Sequence, residues 1–405
     1  MINNTQILYI GSFLENGRES DFWKNSKGMM VLSGDKFQKT FLDGFKFFPN
    51  TIDYIINLPA IGSFPFRYKK IWINSSSFKY NDIKGENCSF LNLSIIKEIS
   101  IYQKLKRKLL DWCLQNIMDK KTIIVYSIME PYLKAAIEAK KRYPEIKICC
   151  IVLDLPEFFD EQKTYLHFAL NKMTASAIYN MIPLVDYFIV LTEQMVFALN
   201  IENKPWLLLE GHYKPIERKI LPKERKTILY TGKLDTRFGI SDLINAFSNI
   251  QDKDYRLWIC GDGTERKSVE KATIKDNRIS YFGMIKPDKV LEMQTQATLL
   301  VNPRKCEGSY TMYSFPSKTL EYMASGTPVV MYPLEGMPKE YYQYLVIVPD
   351  NSNKTLSDLL VEWCEKDQNY LNAFGEKAKQ FILNNKITSI QGQRTYEFLN
   401  NILNA

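Results

Sequence analysis

The sequence predicts an α/β protein built from two doubly wound domains, each a parallel sheet covered by helices on both faces. Three observations carry that expectation. Short β-branched or apolar runs alternate with longer helical stretches along the whole chain. The chain has 405 residues, more than one core usually organises at roughly 100–200 residues per domain. The stretch IENKPWLLLEGHYKPIERKILPKERK, with three prolines and several lysines, interrupts the alternation near residues 203–226 and reads as a hinge.

The strands expected in the first half are QILYIGS, TIDYIINLP, KTIIVYS, IKICCIVLD and YFIVLT. Between them EISIYQKLKRKLLDWCLQNIMDK and PYLKAAIEAKKRYP have helical spacing. The second half offers TILYTG, YRLWICG, RISYFG, ATLLVNP, TPVVMY and YLVIVPD as strands, with SDLINAFSNI, PDKVLEMQTQ and SKTLEYMASG as helices. Everything after Pro349 reads as helical. The expected boundaries are 1–205 for the first domain and 206–388 for the second, with a helix over 389–405 returning to the first.

Composition narrows the function classes. Hydrophobic residues at 45% and charged residues at 24% exclude a disordered or fibrous chain. Lys and Arg number 53 against 45 Asp and Glu, so the net charge is +8. That suits phosphate-rich small molecules or an anionic membrane surface as well as nucleic acid, but no nucleic-acid-binding pattern appears. Seven cysteines without CxxC spacing, and a start that reads as a strand rather than a leader, suggest a reduced, cytoplasmic compartment. The apolar runs fall far below the ~20 residues of a membrane span. Only His167 and His212 are present, which excludes a His-rich metal site. Both read as structural.

Ligands of doubly wound sheets bind at the carboxyl ends of the strands, so the strand-to-helix turns hold the candidates. After ATLLVNPR comes SFPSKTLEYMASG, a helix over roughly 318–325 with Ser317 as N-cap and Gly326 just past its end. Free N–H groups, the dipole and Lys318 make its start an anion site. Glu321 follows on the same face as Ser317 and can accept from two neighbouring hydroxyls, as on a ribose. The plainer alternative is a capped helix with a surface glutamate. In LYTGKLDTRFG, Gly232 permits a tight turn and Lys233 and Arg237 offer two cations to a diphosphate, or form a solvated basic loop. ICGDGTER lacks the third glycine of a dinucleotide fingerprint, Arg266 standing there. Asp252 and Asp254 make a DxD triplet in a polar turn, which favours no metal.

Together these residues resemble retaining glycosyltransferases of family 4, of GT-B fold, and most closely bacterial members that build capsule, exopolysaccharide or O-antigen. The runs are NPR…YSFPSKTLEYMASGTPVV, LYTGKLDTRFGISDLINAF and ICGDG…RISYFG, over most of residues 226–345; the first half matches loosely. The resemblance implies a C-terminal half that binds a nucleotide sugar, such as a UDP- or GDP-sugar, and an N-terminal half that binds a glycan or polyprenyl-diphosphate-linked acceptor. It implies no metal cofactor. Glu321 matches the second Glu of the E-x7-E signature that binds the donor ribose. Lys233 and Arg237 stand near the basic pair that holds the diphosphate, with Phe238 in the slot of the usual Lys. Ser314, Phe315, Ser317 and Lys318, with Thr319 and Leu320 in the same turn, would close on the phosphates. Gly283 and Met284 lie where the base is contacted. Tyr313 occupies the place of the signature's first Glu, and Glu307 is the candidate for its role.

On the acceptor side Asp154 ends a strand and points at the expected cleft, either to contact acceptor or sugar or to cap the following turn. Gly11 and Ser12 end the first strand and border the same region. The helix near 98–118 sets Lys104, Lys106, Arg107 and Lys108 beside Leu105, Leu109, Trp112 and Ile117, a pattern for a membrane surface or for a core helix with a basic edge. The rival functions are a sugar-nucleotide epimerase or hydrolase, and a non-catalytic partner that keeps the fold.

Overall fold

A computed structural model describes residues 5–27, 33–49, 51–94, 96–115, 120–158 and 165–404. The chain forms two compact units, residues 1–212 with 388–405, and residues 213–387.

The first unit is built on an eight-stranded sheet. Its strands are β1 (Thr5–Gly11), β2 (Tyr54–Asn57), β4 (Ser76–Tyr80), β5 (Ile83–Asn87), β7 (Lys120–Tyr126), β8 (Lys147–Val152), β9 (Tyr187–Val190) and β10 (Trp206–Leu208), and β3 (Trp72–Ile73) pairs separately with β6 (Phe90–Leu91). The order is β10-β9-β8-β7-β1-β2-β5-β4, parallel except for the β4–β5 hairpin. Ile7, Leu8, Tyr9 and Ile10 of β1 are fully buried, as a central parallel strand covered on both faces requires. The helices are α1 (Glu19–Asn25), α2 (Ser33–Gly44), α3 (Ile96–Leu114), α4 (Glu130–Arg142), α5 (Tyr165–Met181) and α6 (Gln194–Ala198).

The second unit has a six-stranded parallel sheet of β11 (Glu224–Thr231), β12 (Arg256–Cys260), β13 (Ile279–Gly283), β14 (Ala297–Asn302), β15 (Val329–Met331) and β16 (Val346–Ile347), in the order β13-β12-β11-β14-β15-β16. Its helices are α7 (Ile240–Ser248), α8 (Arg266–Lys275), α9 (Pro287–Gln296), α10 (Lys318–Met323), α11 (Asn353–Cys364) and α12 (Gln368–Asn385). The last helix, α13 (Thr388–Asn404), belongs to the first unit. It packs on α2, and Tyr396 stacks on Phe48 at 4.6 Å.

Each sheet has one point where strand order reverses. In the first it lies between β1 and β7, in the second between β11 and β14. The loops leaving those strand ends diverge and leave a crevice, which is where such sheets take ligands.

Two sequence expectations are corrected. The hinge expected near 203–226 contains β10, which pairs with β9, so its first residues are an edge strand of the first sheet. The lipid-facing reading of the basic helix fails for α3, because Ile101, Leu105, Leu109 and Trp112 are buried and α3 packs on α4. Its basic edge is tied down instead, Lys108 to Glu86 at 2.8 Å and Lys106 to Glu138 at 3.6 Å. Ile117 lies outside the described residues. Among the described residues no helix is long and apolar enough to cross a membrane.

Candidate functional site

The second unit's switch point gathers most of the sequence candidates. β11 ends at Thr231, and Gly232 starts a loop that folds down on the turn after β12. Gly232 N–H donates to the Cys260 carbonyl at 3.0 Å, Leu234 N–H to Asp262 at 2.9 Å, and Glu265 N–H to Leu234 at 2.9 Å. The contact is so close that a Cβ on Gly261, whose φ is +139°, would lie 1.7 Å from the Gly232 carbonyl oxygen. The glycines of ICGDG are therefore the bed on which the Lys233 loop rests. That is a packing role which spacing alone does not reveal.

Within this loop Lys233 and Arg237 converge on one carboxylate. Asp235 lies 3.8 Å from Lys233 Nζ and 3.2 Å from Arg237 Nε, and it accepts from the Arg237 backbone N–H at 3.2 Å. Both cations remain about half exposed, at 47% and 40%. Exposed pairs of this kind are weak, so the arrangement is worth more as orientation than as stability. It holds two cations at one strand end, ready for an anion stronger than a single carboxylate.

The second wall is the connection from β14 to α10. Thr231 and α10 are joined by Tyr322, which is fully buried. Its hydroxyl accepts from Thr231 N–H at 2.7 Å and donates to the Thr231 carbonyl at 3.0 Å. Phe315 is buried against Tyr341, ring centroids 5.4 Å apart, and anchors the SFPSK turn. Thr319 and Leu320 are buried as well, so only their backbone bears on the turn.

The N-cap expected at Ser317 is corrected. Its hydroxyl makes no capping bond, because the residue is already helical at φ −51° and ψ −25°. The N–H groups of Ser317 and Thr319 are bonded to the carbonyls of Phe315 and Pro316. The helix also ends at Met323, two residues before the expected 325. The turn's cationic character thus rests on Lys318, whose Nζ sits 3.6 Å from Glu321 Oε1.

Glu321 is held by a network that the sequence reading missed. Gln294 of α9 donates to Glu321 Oε1 at 2.7 Å. Arg218 donates to Gln294 Oε1 at 2.8 Å and to the Glu321 backbone carbonyl at 2.9 Å. Arg218 lies in the proline-bearing stretch and Gln294 is 27 residues before Glu321, so no local pattern could have joined them. A carboxylate held this way keeps a fixed rotamer for a polar ligand.

The remaining second-unit candidates spread outward. Gly283, at φ +64°, accepts at its carbonyl oxygen from Gly261 N–H at 2.8 Å, and Met284, just past the end of the edge strand β13, is 77% exposed. Tyr313 is half-buried and Glu307 exposed. Asp252 pairs with Lys226 at 2.7 Å and accepts from Asp254 N–H at 2.9 Å, the bonding of a closed polar turn. Among the described residues no group of three or more His, Cys, Asp or Glu gathers as a metal-ligand set.

In the first unit the residues that end β1 carry no charge, and the charged groups beside them are paired, Arg18 with Glu15 at 3.3 Å and Lys39 with Asp35 at 3.1 Å. Gly11 and Ser12 are buried. Ser12 N–H donates to Gln38 Oε1 at 2.8 Å and Gly11 accepts from Leu58 N–H at 2.9 Å. Their polar groups are engaged, so they shape the floor of the strand ends. Asp154 remains accessible, and among the described residues its carboxylate has no hydrogen-bond partner, so it does not cap the next turn. Desolvation raises its carboxyl to about 6. His212 is buried with neither ring nitrogen bonded. It packs edge-on to Phe37 at 5.5 Å and Phe41 at 6.1 Å, and burial, aided by Arg394, lowers its imidazole to about 3. The side chain of His167 lies outside the described residues.

Residues 214–381 match the family model of glycosyl transferases group 1. An uncharacterized glycosyltransferase of Methanocaldococcus jannaschii is 26% identical over 203 residues, 49% of this chain and 50% of that protein, so the chain spans about half the length of the curated relative it matches. Sucrose-phosphate synthase from Thermosynechococcus elongatus superposes with a TM-score of 0.66 at 14% identity, over 98% of this chain and 99% of that one. Anabaena HepE, solved in complex with UDP, superposes at 0.64 with 12% identity, over 98% and 100%. Trehalose 6-phosphate synthase from Burkholderia multivorans gives 0.62 at 10% identity, over 98% and 97%. The fold is that of the GT-B glycosyltransferases, and the stretch of the second unit over residues 214–381 is similar to glycosyl transferases group 1.

Proposed function

We propose that the chain transfers a sugar from a nucleoside-diphosphate donor to a hydroxyl of a glycan acceptor, with retention of anomeric configuration. The observation that carries this is the meeting of Lys233 and Arg237 on one loop of the second unit's switch point. The bond between the sugar's anomeric carbon and the diphosphate breaks, and the diphosphate leaves with the electron pair. Lys233, Arg237 and Lys318 stabilise that charge from fixed positions. Glu321 accepts from the ribose hydroxyls. The acceptor oxygen bonds to the anomeric carbon, and its proton passes to a phosphate oxygen of the departing group. No strong protein base is then needed, and the reaction runs without a resident metal.

The acceptor in this reading is a lipid-linked glycan of a bacterial surface polysaccharide, met at the cytoplasmic face of the membrane. One surface of the first unit supports membrane contact better than α3 does. Lys27 N–H donates to the Arg67 carbonyl and Lys69 N–H to the Asn25 carbonyl, each at 2.9 Å, which joins residues 22–27 to residues 66–72. These segments expose Trp23, Phe66, Ile71 and Trp72 together with Lys24, Lys27, Arg67, Lys69 and Lys70. Aromatic and basic side chains side by side suit an anionic lipid interface.

The test is to screen UDP-, GDP- and CMP-sugars by thermal shift and then measure release of the nucleoside diphosphate with candidate acceptors. If no nucleotide stabilises the wild type, the reading fails. Binding without release favours a second reading, a non-catalytic partner, which Tyr313 in place of the signature's first Glu supports. A changed sugar still attached to its nucleotide would point to an epimerase.

A further inference from the structure

β14 ends at Asn302, and Pro303 passes the chain to Arg304 where the second sheet reverses its strand order. Arg304 is only 6% exposed. Its guanidinium carbon lies 5.1 Å from the Tyr310 ring centroid and 5.9 Å from that of Phe238, and Nη2 donates to Ser314 Oγ at 2.7 Å. Its Nε has no acceptor, and among the described residues no carboxylate lies within ion-pair distance. A buried cation with neutral partners is costly, and an apolar side chain of similar length would fill the space at less cost. Desolvation accordingly pulls its guanidinium below the usual arginine range, and nearby Arg237 adds to that. The partners come from both connections that leave the switch point. Phe238 belongs to the Lys233 loop, whereas Tyr310 and Ser314 belong to the β14–α10 connection. The two backbones touch beneath it, since a Cβ on Gly239 would lie 2.0 Å from the Pro303 carbonyl oxygen.

We propose that Arg304 is a positioning residue for the donor's diphosphate. It clamps the Ser309–Ser314 stretch onto the Lys233–Phe238 loop, so that groups from both connections meet one anion, and its uncompensated charge adds to the field there. This rests on reading the second unit as the nucleotide-diphosphate half. An incoming diphosphate supplies the counter-charge that the protein withholds from Arg304.

The test compares UDP with UMP, or GDP with GMP where UDP does not bind, by titration calorimetry on the full chain. Arg304→Met is expected to weaken UDP about tenfold, the size of one charge-assisted hydrogen bond, and UMP less. Ser314→Ala is expected to lower the UDP:UMP ratio in the same direction. The double variant is expected to be no worse than Arg304→Met alone, because the two groups act as a unit. Arg304→Lys, which keeps the charge and loses the fork, falls between. UDP binding by Arg304→Met within about twofold of wild type overturns the proposal, and so does equal loss of UDP and UMP. If Arg304→Met does not fold, Ser314→Ala decides: an unchanged ratio overturns the proposal and a lowered one supports it. A wild type that binds neither diphosphate overturns the reading of the second unit and this proposal with it. Wild-type binding with an unaffected Arg304→Met overturns this proposal alone.

Discussion

The two switch points share a topology and differ in chemistry. Behind β11 and β14 the loops carry Lys233, Arg237, Arg304 and Lys318, with Asp235 and Glu321 holding the exposed cations in place. In the first unit β1 leads into Ser12, with its hydrogen bonds to Gln38 satisfied, and next to that switch point, past the end of β8, Asp154 offers an accessible carboxylate with no ion-pair partner among the described residues. A doubly wound sheet supplies only a crevice and the loops decide what it takes. The cationic end fits a diphosphate. The first unit's end, with a carboxylate of raised pKa, fits hydroxyl-bearing ligands.

The comparison breaks first at its cationic side. Arg237→Ala is expected to lower kcat about 10²–10³-fold while the melting temperature holds, since removal of one donor to developing charge has that scale and the side chain is exposed. Steady-state rates beside a melting curve check it, and an intact kcat would leave the basic loop merely solvated. Gly261→Ala strikes the bed of the same loop. At φ +139° and 1.7 Å from Gly232 O, the added Cβ forces a backbone shift, with an expected loss of about 2–3 kcal/mol in urea unfolding and weaker nucleotide binding.

The first unit's side is probed by pH. Asp154 titrates near 6, so if its ionised form contacts the acceptor, kcat/KM falls as pH drops through about 6, and Asp154→Asn flattens that limb. His212 tests the first unit's packing. Its folded value of about 3 lies below the 6.5 of a free imidazole, so between those values the unfolded chain binds a proton that the folded chain refuses. Stability from this group is complete above 6.5 and falls as pH drops, by about 1.4 kcal/mol per unit at most. Urea midpoints at pH 7.5 and 5.5 read the slope, and His212→Phe is expected to remove it. Ser317→Ala is the smallest change, under about 0.5 kcal/mol by thermal melting, because the hydroxyl caps nothing.

Legibility followed locality. Lys233 and Arg237 could be read because strand, glycine, cation and helix start follow one another within a dozen residues, and Lys318 because it opens its own helix. Gln294 and Arg218 could not, since they reach Glu321 from 27 and 103 residues away. Arg304 stood in plain view as the third residue of NPR, but what marks it is burial without a counter-charge, which has no local signal. The basic face of α3 misled because a stripe of Leu105, Leu109 and Trp112 has the same period whether it meets lipid or α4.

By itself the sequence determined the two doubly wound sheets and the strand ends worth inspecting, because period, length and turn chemistry are properties of neighbouring residues. Only the tertiary structure decided which groups face one another there. It set Gly261 under Gly232, Tyr322 on Thr231 and the Arg304 guanidinium between Phe238 and Tyr310. The physical reason is that fit, burial and charge compensation are sums over atoms brought together from distant parts of the chain.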